Sequence, residues 1–152
     1  MSITIKLIGP ADRALLDHVA EGVFDFAVDP HWAAVVIADP RHHLVLAIDD
    51  GLVVGMATAV DYVHPDKAPQ FWINEVGVAP THRSRGIATQ LLDALLQHGR
   101  AIGCTEAWVG TETTNAHARR LYVSAGGVED TGFVLYEFAL ADPSDRSPTR
   151  PR

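Results

Sequence analysis

The sequence predicts a single α/β domain built around a mixed β-sheet, and three observations carry that expectation. The chain has 152 residues, the size of one ordinary domain and long enough to bury a core. Hydrophobic residues make up 47% and charged residues 20%, the balance of a folded chain rather than a disordered one. Along it, β-type and helix-type patterns follow one another in the order β-α-α-β-β-β-α-β-α-β.

Each element has a local reason. Ser2–Ile8 alternates and is β-branched, and Gly9-Pro10 stops it. Asp12–Glu21 has helical spacing through Leu15, Leu16 and Val19. His31–Asp39 is a second helix, entered after Pro30 and closed by Pro40. His42–Ile48 and Leu52–Tyr62 are apolar runs on either side of Asp49-Asp50-Gly51, which marks a hairpin. His64–Gln70, with two prolines, reads as a loop, and Phe71–Val78 as a strand ended by Pro80. Gly86–Ile102 carries the apolar stripe Ile87, Leu91, Leu92, Leu95 and Leu96 of the longest helix. Thr105–Thr111 is a strand, Asn115–Ser124 a helix capped by Ala125-Gly126-Gly127, and Phe133–Leu140 a last strand, with a further short one conceivable near Val128. Residues 1–141 are expected to form the domain and 142–152 a flexible tail.

Composition also excludes function classes. The lone cysteine, Cys104, forms no internal disulfide, and no His/Cys grouping has metal-ligand spacing, so no metal is expected. No signal-peptide core opens the chain and no apolar run reaches the length of about 18 residues that spans a bilayer, which leaves a cytoplasmic location and no membrane partner as the expectation. Net charge is −7; setting aside the stretch from Pro143, with three arginines and one aspartate, gives −9 for the rest. Such a body does not suit a nucleic-acid backbone and suits a cationic or neutral small molecule.

The chemistry concentrates in Val76-Gly77-Val78-Ala79-Pro80-Thr81-His82-Arg83-Ser84-Arg85-Gly86-Ile87-Ala88-Thr89, where a strand passes through a loop with two arginines into the long helix. Helix-start amides lack intrahelical acceptors and carry the positive end of the macrodipole, so this junction suits an anion. Neither a Walker motif nor a GxGxxG fingerprint is present. Arg83-Ser84-Arg85-Gly86-Ile87-Ala88 does match [RQ]-x-x-G-x-[GA], and here the chain resembles the GNAT superfamily of N-acetyltransferases. Asn115-Ala116-His117-Ala118-Arg119-Arg120-Leu121-Tyr122 resembles that family's second cofactor element, so the likeness covers Ile3 to Leu140.

The resemblance implies a three-layer GNAT fold: a mixed sheet with splayed central strands, flanked by about four helices. It implies acetyl-coenzyme A as co-substrate, cradled by the amides of Arg83, Ser84, Arg85, Gly86, Ile87, Ala88 and Thr89 and by the strand at Val76 and Val78, with Asn115 and Arg119 on the far side. It further implies Glu75 as general base and Tyr122 as the acid that protonates the departing thiolate. For Glu75 the competing reading is a solvated strand residue, and for Tyr122 a core aromatic.

Segments around Val23, Asp61 and Glu75 most resemble the aminoglycoside 3-N-acetyltransferases, which implies a small cationic amine acceptor. Asp25, Asp29, His64, Glu112 and Asp130, together with Glu75, are the candidate acceptor-lining residues by position. A peptide, lysine or other small amine as acceptor, and a non-catalytic coenzyme A sensor, are the alternatives. A homodimer is the expected assembly.

Overall fold

The computed structural model describes residues 2–142 and 144, so most of the expected tail lies outside the described residues. Its centre is a five-stranded sheet in the order β1 (Thr4–Leu7), β2 (His42–Asp49), β3 (Leu52–His64), β4 (Lys67–Val78) and β5 (Glu106–Trp108). The first four pair antiparallel and β5 joins β4 in parallel, which makes the sheet mixed, as expected. Three α-helices accompany it: α1 (Pro30–Ala38), α2 (Ile87–Ala101) and α3 (Ala116–Ser124). Two 3-10 helices, Pro10–Asp17 and Pro80–His82, complete the fold.

The β2–β3 hairpin turns on Asp50 and Gly51, both with positive φ (48° and 81°), the backbone that a two-residue turn between twisted strands requires. The core fills both faces of the sheet: Val45, Val53 and Phe71 are buried with Ile87, Leu91, Leu92 and Leu95 of α2, the stripe the sequence shows, while Leu46 and Met56 are buried on the opposite face. A Cβ on Gly55 would meet Leu91 at 3.0 Å, and one on Gly99 would meet Phe71 at 3.1 Å, so glycines on sheet and helix let the two layers close. On the opposite face the chain between the first 3-10 helix and α1 lies on the sheet: a Cβ on Gly77 would stand 2.4 Å from the carbonyl oxygen of Val23.

Four local expectations are corrected. The helix expected at 12–21 is a 3-10 helix that ends at Asp17, because Val19 bridges to Val53 and the amide of Ala20 donates to the carbonyl of Val53 at 2.8 Å. The loop expected at 64–70 shrinks to a turn at Pro65-Asp66. Pro69 is accommodated within β4 because the ladder is irregular between Tyr62 and His64, and a bulge tolerates a residue without an N–H. The strand expected at 105–111 pairs only over Glu106–Trp108. The last strand expected, Phe133–Leu140, joins no ladder among the described residues. No helix among them is long and apolar enough to cross a membrane.

Candidate active site

The site is built where β4 leaves β5. The two pair at Gln70–Glu106, Phe71–Ala107 and Trp72–Trp108, and beyond Trp72 no described strand meets that edge of β4. Directly after it the β3–β4 register shifts: Ile73 faces Ala59 and Glu75 faces Thr58, so Asn74 is an extra residue. A bulge bends its strand and increases its twist, which puts the bend at the point of divergence.

The bulge also reverses the side-chain alternation. Phe71 packs on α2, and Ile73 lies on the same face. Gly55, whose Cβ direction meets Leu91 of α2, pairs with Val78, so Val76 and Val78 face α2 as well. Glu75 and Gly77 therefore face the other way, beside Thr58 and Met56 and toward the segment that holds Val23 and Asp25. Simple alternation from Phe71 would have put Glu75 on the α2 side.

The backbone follows the same logic. Ala79 donates its N–H to the carbonyl of Val54 on β3 at 2.8 Å. Alternate residues turn their polar groups to the same side, so Val76 and Val78 present N–H and C=O to the open edge. The Val78 carbonyl there accepts from Arg83 Nε at 3.3 Å.

Next to this edge begins α2. Gly86 precedes it with φ +73°, and Ser84 also has positive φ, +61°. No side chain caps the helix, so the amides of Ile87, Ala88 and Thr89 remain unclaimed by a cap. The Ile87 side chain is buried in the core, which anchors the first turn and leaves only its amide for a ligand. Arg83 and Arg85 are exposed and hydrogen-bond carbonyls of Val78 and Thr81; among the described residues neither forms an ion pair. The loop is tied to the sheet by His82, which contacts Asp49 at 2.9 Å and Thr81 at 2.8 Å. Uncapped amides, two cations without acidic partners and an open strand edge form a donor set that fits a diphosphate followed by an amide-bearing chain, which is the chemistry of coenzyme A.

The remaining expected residues are placed as follows. Asn115 is the N-cap of α3, its Oδ1 accepting from the Ala118 amide at 3.0 Å. Arg119 is held in a bidentate pair with Glu129, at 2.6 and 2.9 Å, and donates to the Thr113 carbonyl at 2.7 Å. That hydrogen bonding raises the guanidinium pKa and lowers that of the Glu129 carboxyl, so the charge of Arg119 is already compensated. Tyr122 on α3 is half-buried and packs on the edge of the core. Its carbonyl accepts from the Gly127 amide, and a Cβ on Gly127 would stand 2.9 Å from that oxygen.

Asp25 lies two residues beyond Val23, on the Glu75 face. Asp29 caps α1: its Oδ1 accepts from the amides of His31 and Trp32 at 2.8 and 3.3 Å. His64 bonds Asp66 in the β3–β4 turn, Asp130 accepts from the Gly132 amide at 2.8 Å, and Glu112 is exposed ahead of α3. No group of three His, Cys, Asp or Glu that could hold a metal exists among the described residues. Thr58, His82 and Asp49 were not singled out from sequence. Gly77 inside an apolar strand was the one legible sign of a close backbone approach there.

Residues 13–126 match the model of the acetyltransferase (GNAT) family. A curated relative, an aminoglycoside N(6′)-acetyltransferase type 1 of Salmonella typhimurium, is 33% identical over 95 residues; the match spans 60% of this chain and 65% of the relative. Among solved structures, an aminoglycoside acetyltransferase from an uncultured soil metagenomic sample, solved with sisomicin, superposes with a TM-score of 0.78 at 16% identity, over 91% of this chain and 97% of that one. The structure of AAC(6′)-Iy with a coenzyme A–acetylneamine bisubstrate analogue gives 0.74 at 21%, over 91% and 99%. With its splayed mixed sheet and the family match across most of its length, the chain belongs to the GNAT acetyltransferase family.

Proposed function

We propose that this protein acetylates a primary amine of an aminoglycoside-class polycation with acetyl-coenzyme A. The observation that carries the proposal is the bulge at Asn74, which aims the amides of Val76 and Val78 at the open edge and turns Glu75 to the face of the Val23–Asp25 segment. The two sides of β4 thereby serve two substrates.

When bound, acetyl-coenzyme A supplies an activated thioester. The amides of residues 86–89, with Arg83 and Arg85, hold its diphosphate, and the Val76 and Val78 edge aligns its amide-bearing arm. An amine attacks only when neutral, and at neutral pH the acceptor arrives as an ammonium. The Glu75 carboxylate takes that proton, directly or through water. A strand amide polarises the acyl oxygen, the Tyr122 hydroxyl delivers a proton to the departing sulfur, and the second nitrogen proton, released as the amide forms, restores the phenol through water. The attack is direct, with no covalent enzyme intermediate: Cys104, the one cysteine, lies in the turn between α2 and β5. Asp25, in the segment over the Glu75 face, and the exposed Glu112 are the carboxylates assigned to the further ammonium groups.

The curated relatives support the acceptor class, and their N(6′) designation favours the 6′-amine over the 3-amine that the sequence segments suggested. The test is coenzyme A thiol release across aminoglycosides, polyamines, amino acids and a short peptide. Release with aminoglycosides is expected, with product NMR identifying the nitrogen. Glu75→Gln should lower kcat by about 10²–10⁴-fold with unchanged acetyl-coenzyme A affinity. Turnover confined to the peptide, or unaffected by Glu75→Gln, would overturn the acceptor or the base respectively.

A further inference from the structure

The sheet face turned away from α2 carries a strip of side chains that acetyl transfer itself does not use. β4 and β5 pair in parallel, so register partners share a face. Phe71 packs on α2, which leaves Gln70 and Trp72 of β4 on the other face, together with their β5 partners Glu106 and Trp108. The side chains agree with that placement: Gln70 Nε2 donates to Glu106 Oε2 at 2.7 Å. Beyond Trp72 the bulge at Asn74 brings Glu75 onto this face too.

Along the strip the order is therefore Glu75, the pair Trp72 and Trp108, then the pair Gln70 and Glu106. Two residues of strand span about 6.6 Å and neighbouring strands lie about 4.8 Å apart, so each step of the strip matches the size of a six-membered sugar ring. The two indoles are 36% and 46% exposed, although tryptophan is on average well buried. Glu106 is exposed as well, and among the described residues no lysine or arginine pairs with it. An open indole face attracts the C–H face of a sugar ring and, through its quadrupole, a cation. A carboxylate already oriented by an amide suits an ammonium.

We propose that this strip is a second acceptor subsite: one aminosugar ring of a multi-ring polycation lies over Trp72 and Trp108 with an ammonium on Glu106, while another ring presents the reacting amine to Glu75. The inference rests on the aminoglycoside-class acceptor proposed above and adds Glu106 to the carboxylates that meet it. A single-ring amine reaches Glu75 and leaves the strip unfilled, so the two tryptophans set a preference for acceptors of two or more rings.

Steady-state kinetics with sisomicin, and with the single-ring amine that carries the nitrogen acetylated in it, separate the subsite from the reacting end. Trp108→Ala should raise the sisomicin KM about tenfold at unchanged kcat and unchanged acetyl-coenzyme A KM, Trp108→Phe should restore it, and the single-ring amine should respond little to either change. Glu106→Gln, a near-isosteric replacement of an exposed side chain, should also raise the sisomicin KM and weaken its salt dependence. A sisomicin KM unmoved in either variant, or an equal loss on the single-ring amine, would sink the subsite and leave the acceptor class standing. Wild-type protein that turns over neither sisomicin nor any other aminoglycoside would remove the acceptor class, and the subsite with it.

Discussion

His43 is the one buried polar residue of the described core, and its position explains why. Its Nε2 lies 2.6 Å from the Asp61 carboxylate, which can only accept, so its Nδ1 is left to accept from His98 Nε2 at 2.8 Å. Burial, and then the facing His43, lower the His98 pKa below the ordinary 6.5, against a smaller opposing pull from Asp61. The folded state therefore binds fewer protons than the unfolded one. Stability from this group is complete above about pH 6.5 and declines as the pH falls below that value. The urea midpoint should drop between about pH 7 and about pH 5, and His98→Asn should flatten that slope. An unchanged slope would assign the loss to other groups.

At the scale of elements, two residues decide how the acceptor side is walled. Asp29, expected to line the acceptor site, caps α1. Asp29→Ala should cost about 1 kcal/mol in denaturant unfolding, whereas Asp29→Ser should restore stability and leave the acceptor KM unchanged. A raised KM in the serine variant would make Asp29 a substrate contact after all. Gly77→Ala drives a methyl to 2.4 Å from the Val23 carbonyl, and backbone does not yield as a side-chain tip does. The segment that holds Asp25 must then lift from β4. A lowered Tm together with a raised acceptor KM, acetyl-coenzyme A affinity being kept, is the expected result in melting and steady-state assays.

For the whole molecule the governing quantity is charge. The protein carries −7 overall, yet Arg83 and Arg85 stand in the loop before α2 without acidic partners among the described residues. A negative body draws in a polycation over distances comparable to the screening length, about 10 Å at 0.1 M salt. Accordingly kcat/KM for an aminoglycoside should fall steeply between low and high ionic strength, while that for a mono-amine changes little. Equal salt dependence for the two would show that the acidic surface plays no part in capture.

Much of this was legible in the chain itself, because it depends on contacts between near neighbours. The stripe from Ile87 to Leu96 dictates an amphipathic helix, Asp50-Gly51 dictates a tight hairpin, and Arg83 to Ala88 dictates an anion-binding helix start; each is a property of about a turn of backbone. Three decisive features are not local. The bulge at Asn74 exists only in the register between β3 and β4, and it alone turns Glu75 away from α2. The pairing of Arg119 with Glu129, ten residues further on, depends on which groups folding brings within 3 Å. Phe133–Leu140 has the pattern of a strand, but a ladder needs a second edge within reach, and among the described residues that segment meets none. Short-range periodicity and turn chemistry therefore determined the hairpin, the long helix and the loop that leads into it, while register and long-range hydrogen bonding, which no window of sequence contains, decided which side chains share a face.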